Sequence, residues 1–299
     1  MRIFLTGATG FIGSAVVPEL LAAGHQVIGL TRSDAGARAL ADAGAESHRG
    51  ALEDLESLRS GAAQADGVIH TAFDHDFSNY AANCEKDGRV VAALGEALKG
   101  SDRPLVITSG TALGNIRPGQ PASEDAFDAG HALPRIASEL AGAALLEGGL
   151  NVSVVRLSQV HDTVKQGLVS PLVELARRKG VSAFLGDGGN RWPAAHVLDL
   201  ASLYRLVLER AEPGARYHAV AEEGVPARAI AEAIGRGLGV AVASLTLKEA
   251  EDHFGWLAGF VGLDMPASSA WTRARLGWHP TGPGLISDLA GMRYSDDPR

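Results

Sequence analysis

The stretch Thr6-Gly7-Ala8-Thr9-Gly10-Phe11-Ile12-Gly13 decides the fold of this 299-residue chain. It follows a short apolar run and precedes a run whose apolar residues recur at helical spacing. In such a setting the first glycine allows a tight turn, the second lets a ligand approach the backbone, and the third lets the helix pack closely on the strand. The unpaired amides at the start of that helix bind phosphate groups. The pattern therefore predicts a site for the pyrophosphate of a dinucleotide.

Strand and helix patterns alternate outward from this loop. Because short apolar runs suit strands that are covered on both faces, we expect an α/β fold with a Rossmann-type, doubly wound parallel sheet. The predicted strands are Arg2–Thr6, Gln26–Thr31, Gly67–Thr71, Leu105–Ser109 and Val152–Leu157.

The alternation fades toward the C-terminal half. We expect residues 1–165 to form the dinucleotide-binding domain, with residues 194–220 returning to it. Residues 166–193 and 221–299 are then expected to form a smaller C-terminal substrate lobe. A chain of this length suits a large domain with a second, smaller lobe.

Composition excludes several classes of function. The net charge of −8 lacks the positive field that a nucleic acid requires, so no nucleic-acid partner is expected. No apolar run approaches the roughly 20 residues of a membrane helix, so no membrane partner is expected. Cys84 is the single cysteine, which fits a reducing cytoplasm. The chain enters its first predicted strand at once, which also favours a cytoplasmic protein without a signal peptide.

Several further segments resemble those of one known family. The spacing of the glycine loop and the order of the later motifs are similar to the extended and atypical short-chain dehydrogenase/reductases, which include nucleotide-sugar epimerases and dehydratases. The resemblance covers nearly the whole chain and implies a small-molecule substrate. Members commonly pair through two sheet-flanking helices, and the alanine-rich helices here suit either a homodimer or an ordinary core. The motifs are Val68–Ala72, Val106–Gly110, Val154–Leu157, His196–Ala201 and Leu276–Pro280.

The resemblance also implies a cofactor site along the ends of the strands, and no metal site. The residues expected to contact the dinucleotide are Gly7, Thr9, Gly10, Phe11, Ile12, Gly13, Thr31, Arg32, Ser33, Leu52, Thr71, Ala72, Phe73, Ser109, Ser158 and Val160.

The end of the second strand favours NADP over NAD. A carboxylate at this position binds the ribose hydroxyls of NAD, but the sequence here continues with Arg32 and Ser33. Arg32 suits paired hydrogen bonds to a 2′-phosphate, and Ser33 adds a donor. The alternative is that Arg32 points to solvent and Asp34 serves NAD. Ala51 stands where the family has an acid near the adenine, which leaves Leu52 to support the base.

The catalytic pattern of the family is broken. Its members use a tyrosine and, four residues later on the same helix, a lysine that lowers the tyrosine pKa. Aligned with that motif, this sequence has Arg135 and Glu139. The substitute candidates are Ser109 at the family's serine position, Thr111, His131, Arg135 and Glu139, with His161 as a further histidine.

Four interpretations remain open. We favour an NADP-dependent oxidoreductase that acts on a small or lipophilic carbonyl or alcohol, because the chain keeps a full substrate lobe. In one version of it, Arg135 and Glu139 form an ion pair that holds their helix against the ribose, and Glu139 accepts the ribose hydroxyls. The alternatives are a non-catalytic NADP(H) sensor and a nucleotide-sugar epimerase or dehydratase.

Overall fold

The computed structural model describes residues 1–115 and 119–294. The strands in these residues are β1 (Arg2–Thr6), β2 (Gln26–Thr31), β3 (Glu46–Arg49), β4 (Gly67–His70), β5 (Leu105–Gly110), β6 (Val152–Leu157), β7 (Gln159–His161), β8 (Val181–Leu185), β9 (Arg191–His196), β10 (Arg216–Ala219), β11 (Glu222–Pro226) and β12 (Ala241–Leu245). The helices are α1 (Gly13–Ala22), α2 (Asp34–Asp42), α3 (Leu55–Ala63), α4 (Tyr80–Glu96), α5 (Ile136–Glu147), α6 (Val169–Lys179), α7 (Val197–Arg210), α8 (Ala227–Leu238), α9 (Leu247–Phe254), α10 (Ala258–Val261), α11 (Ala270–Leu276) and α12 (Leu285–Gly291). Short 3₁₀ helices lie at Phe77–Asn79, Thr111–Gly114 and Gly255–Leu257.

In the described part of the chain, seven strands form a parallel sheet in the order β10-β6-β5-β4-β1-β2-β3. Strand β1 pairs with β2 on one side and with β4 on the other. The chain therefore reverses its direction of progress between β1 and β4, and this switch point is where doubly wound folds bind ligands. The predicted Rossmann-type fold is confirmed.

Apolar side chains cover both faces of this sheet, as the nearly continuous apolar strands predicted. On one face, Val16 and Leu20 of α1 pack in the same core as Leu203 and Tyr204 of α7. On the other face, α3 and α4 bury their apolar sides against the strands, with Leu94 among the fully buried residues. The sheet is thus a rigid support that holds its carboxyl-terminal loops in place.

A smaller lobe follows β6 and has its own core. Strands β7, β9 and β11 form one small sheet, and β8 pairs with β12 in another. Helices α6, α8 and α12 pack around Trp192 in this lobe. Between these pieces, α7 and β10 (197–219) return to the central sheet, where β10 pairs with β6. Among the residues that the structure describes, no helix is long and apolar enough to cross a membrane.

Candidate functional site

A cleft of about 700 Å³ opens where β1, β2 and β4 end at the switch point. The glycine loop forms one wall of this cleft, and residues that follow β6 form the facing wall. The loops after β2, β3 and β4 supply the remaining lining. The cleft therefore lies where the fold is expected to hold a dinucleotide.

Two glycines of the loop make contacts that no other residue could make. Gly7 has a φ of +72°, and a Cβ there would lie 2.7 Å from Thr71 Oγ1. A Cβ on Gly13 would lie 2.1 Å from the carbonyl oxygen of Gly7. The Gly10 amide donates to that same oxygen at 2.8 Å, which closes the turn. The loop therefore packs closely against β1, β4 and the start of α1.

The first turn of α1 presents its amides to the cleft. Ile12 is the N-cap residue and makes no side-chain capping bond, and the first turn of the helix carries no acidic residue. Helix amides that lack a partner bind anions, with help from the helix dipole. The closely packed glycine loop and these amides fit the pyrophosphate of a dinucleotide.

Most of the cofactor residues predicted from the sequence line this cleft. Ser33 does not, because its hydroxyl caps α2 by accepting a hydrogen bond from the Gly36 amide at 3.0 Å. Ser109 does not line it either, because its side chain is buried elsewhere. The predicted residues that do line the cleft are Gly7, Thr9, Gly10, Phe11, Ile12, Gly13, Thr31, Arg32, Leu52, Thr71, Ala72, Phe73, Ser158 and Val160.

At the end of β2 the structure separates Arg32 from Asp34. Arg32 lines the cleft. Asp34 is outside the lining, and its carboxylate lies 3.3 Å from Arg49 Nη2. Glu53 also lines this part of the cleft, and Lys86 Nζ donates to it at 3.0 Å. The hydrogen bond from Lys86 holds the pKa of Glu53 below its ordinary value.

Ser109 and Glu139 are joined to each other beneath the surface. Ser109 Oγ donates to Glu139 Oε1 at 2.5 Å, and both residues are buried. Glu139 also accepts from Arg156 Nε at 2.7 Å and from Arg216 Nε at 3.1 Å. Burial raises the pKa of Glu139, but the bonds from Arg156 and Ser109 outweigh it, and the net shift is downward. Glu139 therefore ties α5 to β6 and β10 as an ionised anchor, outside the cleft lining.

Arg135 and Glu139 do not form the ion pair that was expected. Arg135 Nη1 instead donates to Asp87 Oδ2 of α4 at 2.6 Å, and Nη2 donates to the Thr108 carbonyl at 2.7 Å. Its guanidinium lies 4.4 Å from the centre of the Phe73 ring. The expectation was wrong because each residue finds a buried partner of opposite charge on another element. A buried charge is stable only with such a partner.

The sequence model of the NAD dependent epimerase/dehydratase family matches residues 3–221 of this chain. The chain belongs to this family. The resemblance found in the sequence and the expected enzyme class, an oxidoreductase related to the short-chain dehydrogenase/reductases, are thereby confirmed, as is dependence on a nicotinamide dinucleotide at the level of NAD(P).

Relatives that match nearly the whole chain come from yeasts and bacteria. An uncharacterized protein of Schizosaccharomyces pombe is 46% identical, over 98% of this chain and 100% of its own. A UDP-glucose 4-epimerase of Streptomyces lividans is 28% identical, over 96% of this chain and 94% of its own. The crystal structure of the UDP-glucose 4-epimerase of Thermus thermophilus in complex with NAD has a TM-score of 0.75 at 23% identity, over 98% of this chain and 99% of that one. The structural likeness concerns the fold.

The other catalytic residues predicted from the sequence also lie outside the lining of the cleft. Thr111 is buried, and its hydroxyl donates to the Leu157 carbonyl at 3.3 Å. His131 Nδ1 accepts from the Leu133 amide at 3.1 Å, so it stabilises the loop before α5. His161 is fully buried, and its Nδ1 lies 2.7 Å from Asp288 Oδ2. The structure therefore brings none of Ser109, Thr111, His131, Arg135 and Glu139 to the cleft surface.

Sequence reasoning missed three side chains that line the cleft beside the predicted Phe73. His75 and Phe77 line it from the loop after β4, and Lys165 lines it from the loop after β7. The Phe77 ring stacks on Trp256 of the small lobe, with centroids 4.8 Å apart and planes 11° apart. The motifs that the chain shares with the family include none of these side chains, and only the irregular run of aromatic residues after β4 indicates them in the sequence.

Proposed function

We propose that this protein is an NADP(H)-dependent reductase that interconverts a lipophilic carbonyl compound and its alcohol. One observation carries the proposal. The cleft that contains the glycine loop is also lined by Phe73 and Phe77, and Trp256 of the small lobe stacks on Phe77. Aromatic side chains bury a large apolar area and favour flat or apolar ligands.

The preference for NADP is supported by the cation at the end of β2. Arg32 lines the cleft, whereas the neighbouring carboxylate of Asp34 is paired with Arg49. A guanidinium offers two parallel donors to a phosphate group. The ribose end of the cleft is therefore better suited to a 2′-phosphate than to a free 2′-hydroxyl.

In this reaction, residues of the chain bind and orient the cofactor and the substrate. The amides of the α1 N-terminus hold the pyrophosphate, and Gly7 and Gly13 let it approach the backbone. The aromatic wall holds the substrate and excludes water from it. When bound, the reduced nicotinamide supplies the hydride that adds to the carbonyl carbon.

Cofactor preference is tested by the dissociation constants of NADPH and NADH, measured by titration calorimetry. We expect wild-type protein to bind NADPH more tightly. Arg32→Ala should weaken NADPH binding about 10- to 100-fold, since a hydrogen bond between charged groups contributes about 1.5–3 kcal/mol, and should leave NADH nearly unchanged. Arg38→Ala removes an exposed arginine of α2 outside the cleft lining and is the matched control. Equal effects of Arg32→Ala on both cofactors would contradict the phosphate role.

Activity is tested by following NADPH consumption with 4-nitrobenzaldehyde and with cyclohexanone as probes. A reductase consumes NADPH in step with alcohol formation. A nucleotide-sugar epimerase would instead convert UDP-glucose with no net consumption of cofactor, and a sensor would bind NADPH without turning over any of the three compounds. Either of the last two results would overturn the proposed reaction while leaving the cofactor site intact.

A further inference from the structure

His75 stands on the cleft wall at the substrate end, in the loop after β4. Its ring lies edge-on to two aromatic neighbours, with centroids 5.4 Å from Phe73 and 6.2 Å from Phe77. These contacts fix the imidazole on the wall that we assign to the substrate. The side chain is exposed to the cleft and accessible to a ligand.

Most of the hydroxyl groups that line the cleft point to backbone carbonyl groups. Thr71 Oγ1 donates to the Thr6 carbonyl at 2.8 Å, and Ser158 Oγ donates to the Ala219 carbonyl at 2.5 Å. Thr31 Oγ1 points at the Ser33 carbonyl, 3.4 Å away, and Thr9 belongs to the glycine loop. The hydroxyl protons of Thr71 and Ser158 are therefore already used in hydrogen bonds to backbone carbonyl groups.

The two carboxylates that line the cleft also have a hydrogen-bond partner. Asp74 and Glu53 both accept from Lys86 Nζ, at 2.7 and 3.0 Å. The hydrogen bond from Lys86 holds the pKa of Asp74 below its ordinary value, so this group stays ionised near neutral pH. Within the described lining, His75 is therefore the side chain whose ordinary titration range lies near neutral pH.

Lys165 lines the same cleft as this histidine, from the loop after β7. It sits in a tight turn after β7 in which Asp162 Oδ1 accepts from the amides of Val164 and Lys165, at 2.6 and 2.7 Å. Its ammonium lies 5.8 Å from the centre of the Phe11 ring in the glycine loop. The turn therefore holds a positive charge over the cleft, between the glycine loop and the aromatic wall.

The charges around His75 favour its neutral form. Partial desolvation by the cleft wall lowers the pKa of His75, the positive charge of Lys165 lowers it further, and Arg135 adds to this effect. A hydrogen bond with the backbone of Phe73 and the carboxylate of Asp74 act in the opposite direction, and the net shift is downward. The pKa of His75 thus lies below its ordinary value, and the positive charge of Lys165 is one of the causes.

We propose that His75 is the catalytic residue that exchanges a proton with the substrate oxygen, and that the Lys165 ammonium binds this oxygen from the loop after β7. The proposal rests on the proposed reductase function and assigns the proton transfer for which the family's tyrosine and lysine are missing. Arg135 and Glu139, which occupy those two positions, are held by buried partners instead.

In the direction of reduction, the carbonyl carbon gains the hydride that NADPH would supply when bound, and the electron pair of the C=O π bond moves to oxygen. The imidazolium of His75 gives its proton to that oxygen, which forms the alcohol, and the neutral histidine then regains a proton from water. In oxidation the neutral imidazole takes the hydroxyl proton as the hydride leaves. Lys165 stabilises the negative charge that develops on oxygen, without losing its own proton.

The two directions should consequently have opposite pH dependences. Reduction needs the protonated histidine, so kcat/KM for 4-nitrobenzaldehyde with NADPH should fall as the pH rises through the pKa of His75. Oxidation needs the neutral histidine, so kcat/KM for 4-nitrobenzyl alcohol with NADP should rise through the same pKa. Since this pKa is lowered, both transitions should lie below about 6.5.

The test combines these profiles with His75→Gln, Lys165→Met and the control His279→Gln, which changes an exposed histidine outside the cleft lining. His75→Gln should lower kcat about 10²- to 10⁴-fold, abolish both pH transitions and leave the NADPH dissociation constant unchanged. His279→Gln should behave as the wild type. Independently of activity, NMR titration of the histidine side chains should show the His75 pKa rising in Lys165→Met.

The outcomes separate this inference from the function on which it rests. If the wild type reduces 4-nitrobenzaldehyde and His75→Gln keeps the rate and the pH transitions, the role of His75 is wrong and the reductase function stands. If the His75 pKa is unchanged in Lys165→Met, the positive charge of Lys165 does not act on His75 as proposed. If the wild type consumes no NADPH with either carbonyl probe, the reductase function fails and the catalytic role fails with it.

Discussion

Ser109 Oγ lies 2.5 Å from Glu139 Oε1, and this buried hydrogen bond joins β5 to α5. The two residues occupy positions at which the family resemblance implied a catalytic serine and lysine. Here they belong to an ionic anchor with Arg156, whose side chain is fully buried. The helix keeps its place on the sheet through charge pairing, and the chemistry of the site has to come from other residues.

Replacing Glu139 should lower the free energy of unfolding and should affect kcat less. Glu139→Gln leaves the buried guanidinium of Arg156 without a negative partner, so we expect the free energy of unfolding to fall by about 3 kcal/mol or more. Urea denaturation measures this loss. Glu147→Gln, at the exposed end of the same helix, is the matched control and should change stability by less than about 0.5 kcal/mol. Equal losses in the two variants would contradict the anchor role.

The buried carboxylates should make the protein sensitive to acid. Burial raises the pKa of Asp87, but the charge of Arg135 and the interactions with His70 and Ser138 outweigh it, and the net shift is strongly downward. A lowered folded-state pKa contributes stability above the unfolded value, and this stability is lost as the pH falls through the folded value. Urea denaturation from about pH 5 to about pH 2 should show a decline that sets in near pH 4 and that Asp87→Asn flattens. Asp42→Asn, exposed on α2, should leave the slope as it is.

The third glycine of the loop should tolerate no side chain. A Cβ at Gly13 would lie 2.1 Å from the Gly7 carbonyl oxygen, and backbone cannot move aside as a flexible side chain can. We expect Gly13→Ala to weaken NADPH binding at least about 10-fold and to reduce stability by about 1–3 kcal/mol. Gly110→Ala is the control, because its Cβ would meet only Leu157 O, at 3.9 Å. Normal cofactor binding by Gly13→Ala would show that the loop has a different geometry.

The stack between Phe77 and Trp256 should support substrate binding. It connects the cleft wall to the small lobe, and an aromatic pair contributes about 0.5–1.5 kcal/mol beyond its buried area. Trp256→Ala should therefore raise KM for 4-nitrobenzaldehyde about 2- to 10-fold, with a smaller change in kcat. Trp271→Ala removes another half-exposed tryptophan, which packs on Tyr217, and should leave KM unchanged. A similar KM in Trp256→Ala and the wild type would remove this wall from the binding site.

Local sequence determined the fold and the place of the cleft. The glycine loop, the apolar strands and the alternating helices act over a few neighbouring residues, because backbone conformation and side-chain periodicity are local properties. The positive φ of Gly7 and the close approach at Gly13 follow from that pattern. Arg32 reaches the cleft for the same reason, since a residue directly after β2 stands at the sheet edge whatever the rest of the chain does.

Only the tertiary structure decided which charged groups remain available for chemistry. Arg135 pairs with Asp87, and Glu139 pairs with Arg156, although the sequence places Arg135 and Glu139 one helical turn apart. His75 and Lys165 come to one cleft from loops after β4 and β7. The spacing of residues along a helix shows which side chains share a face. A buried charge, however, is stable only beside a group of opposite charge, wherever in the chain that group lies. That partner is set by the packing of distant elements, which no local pattern contains.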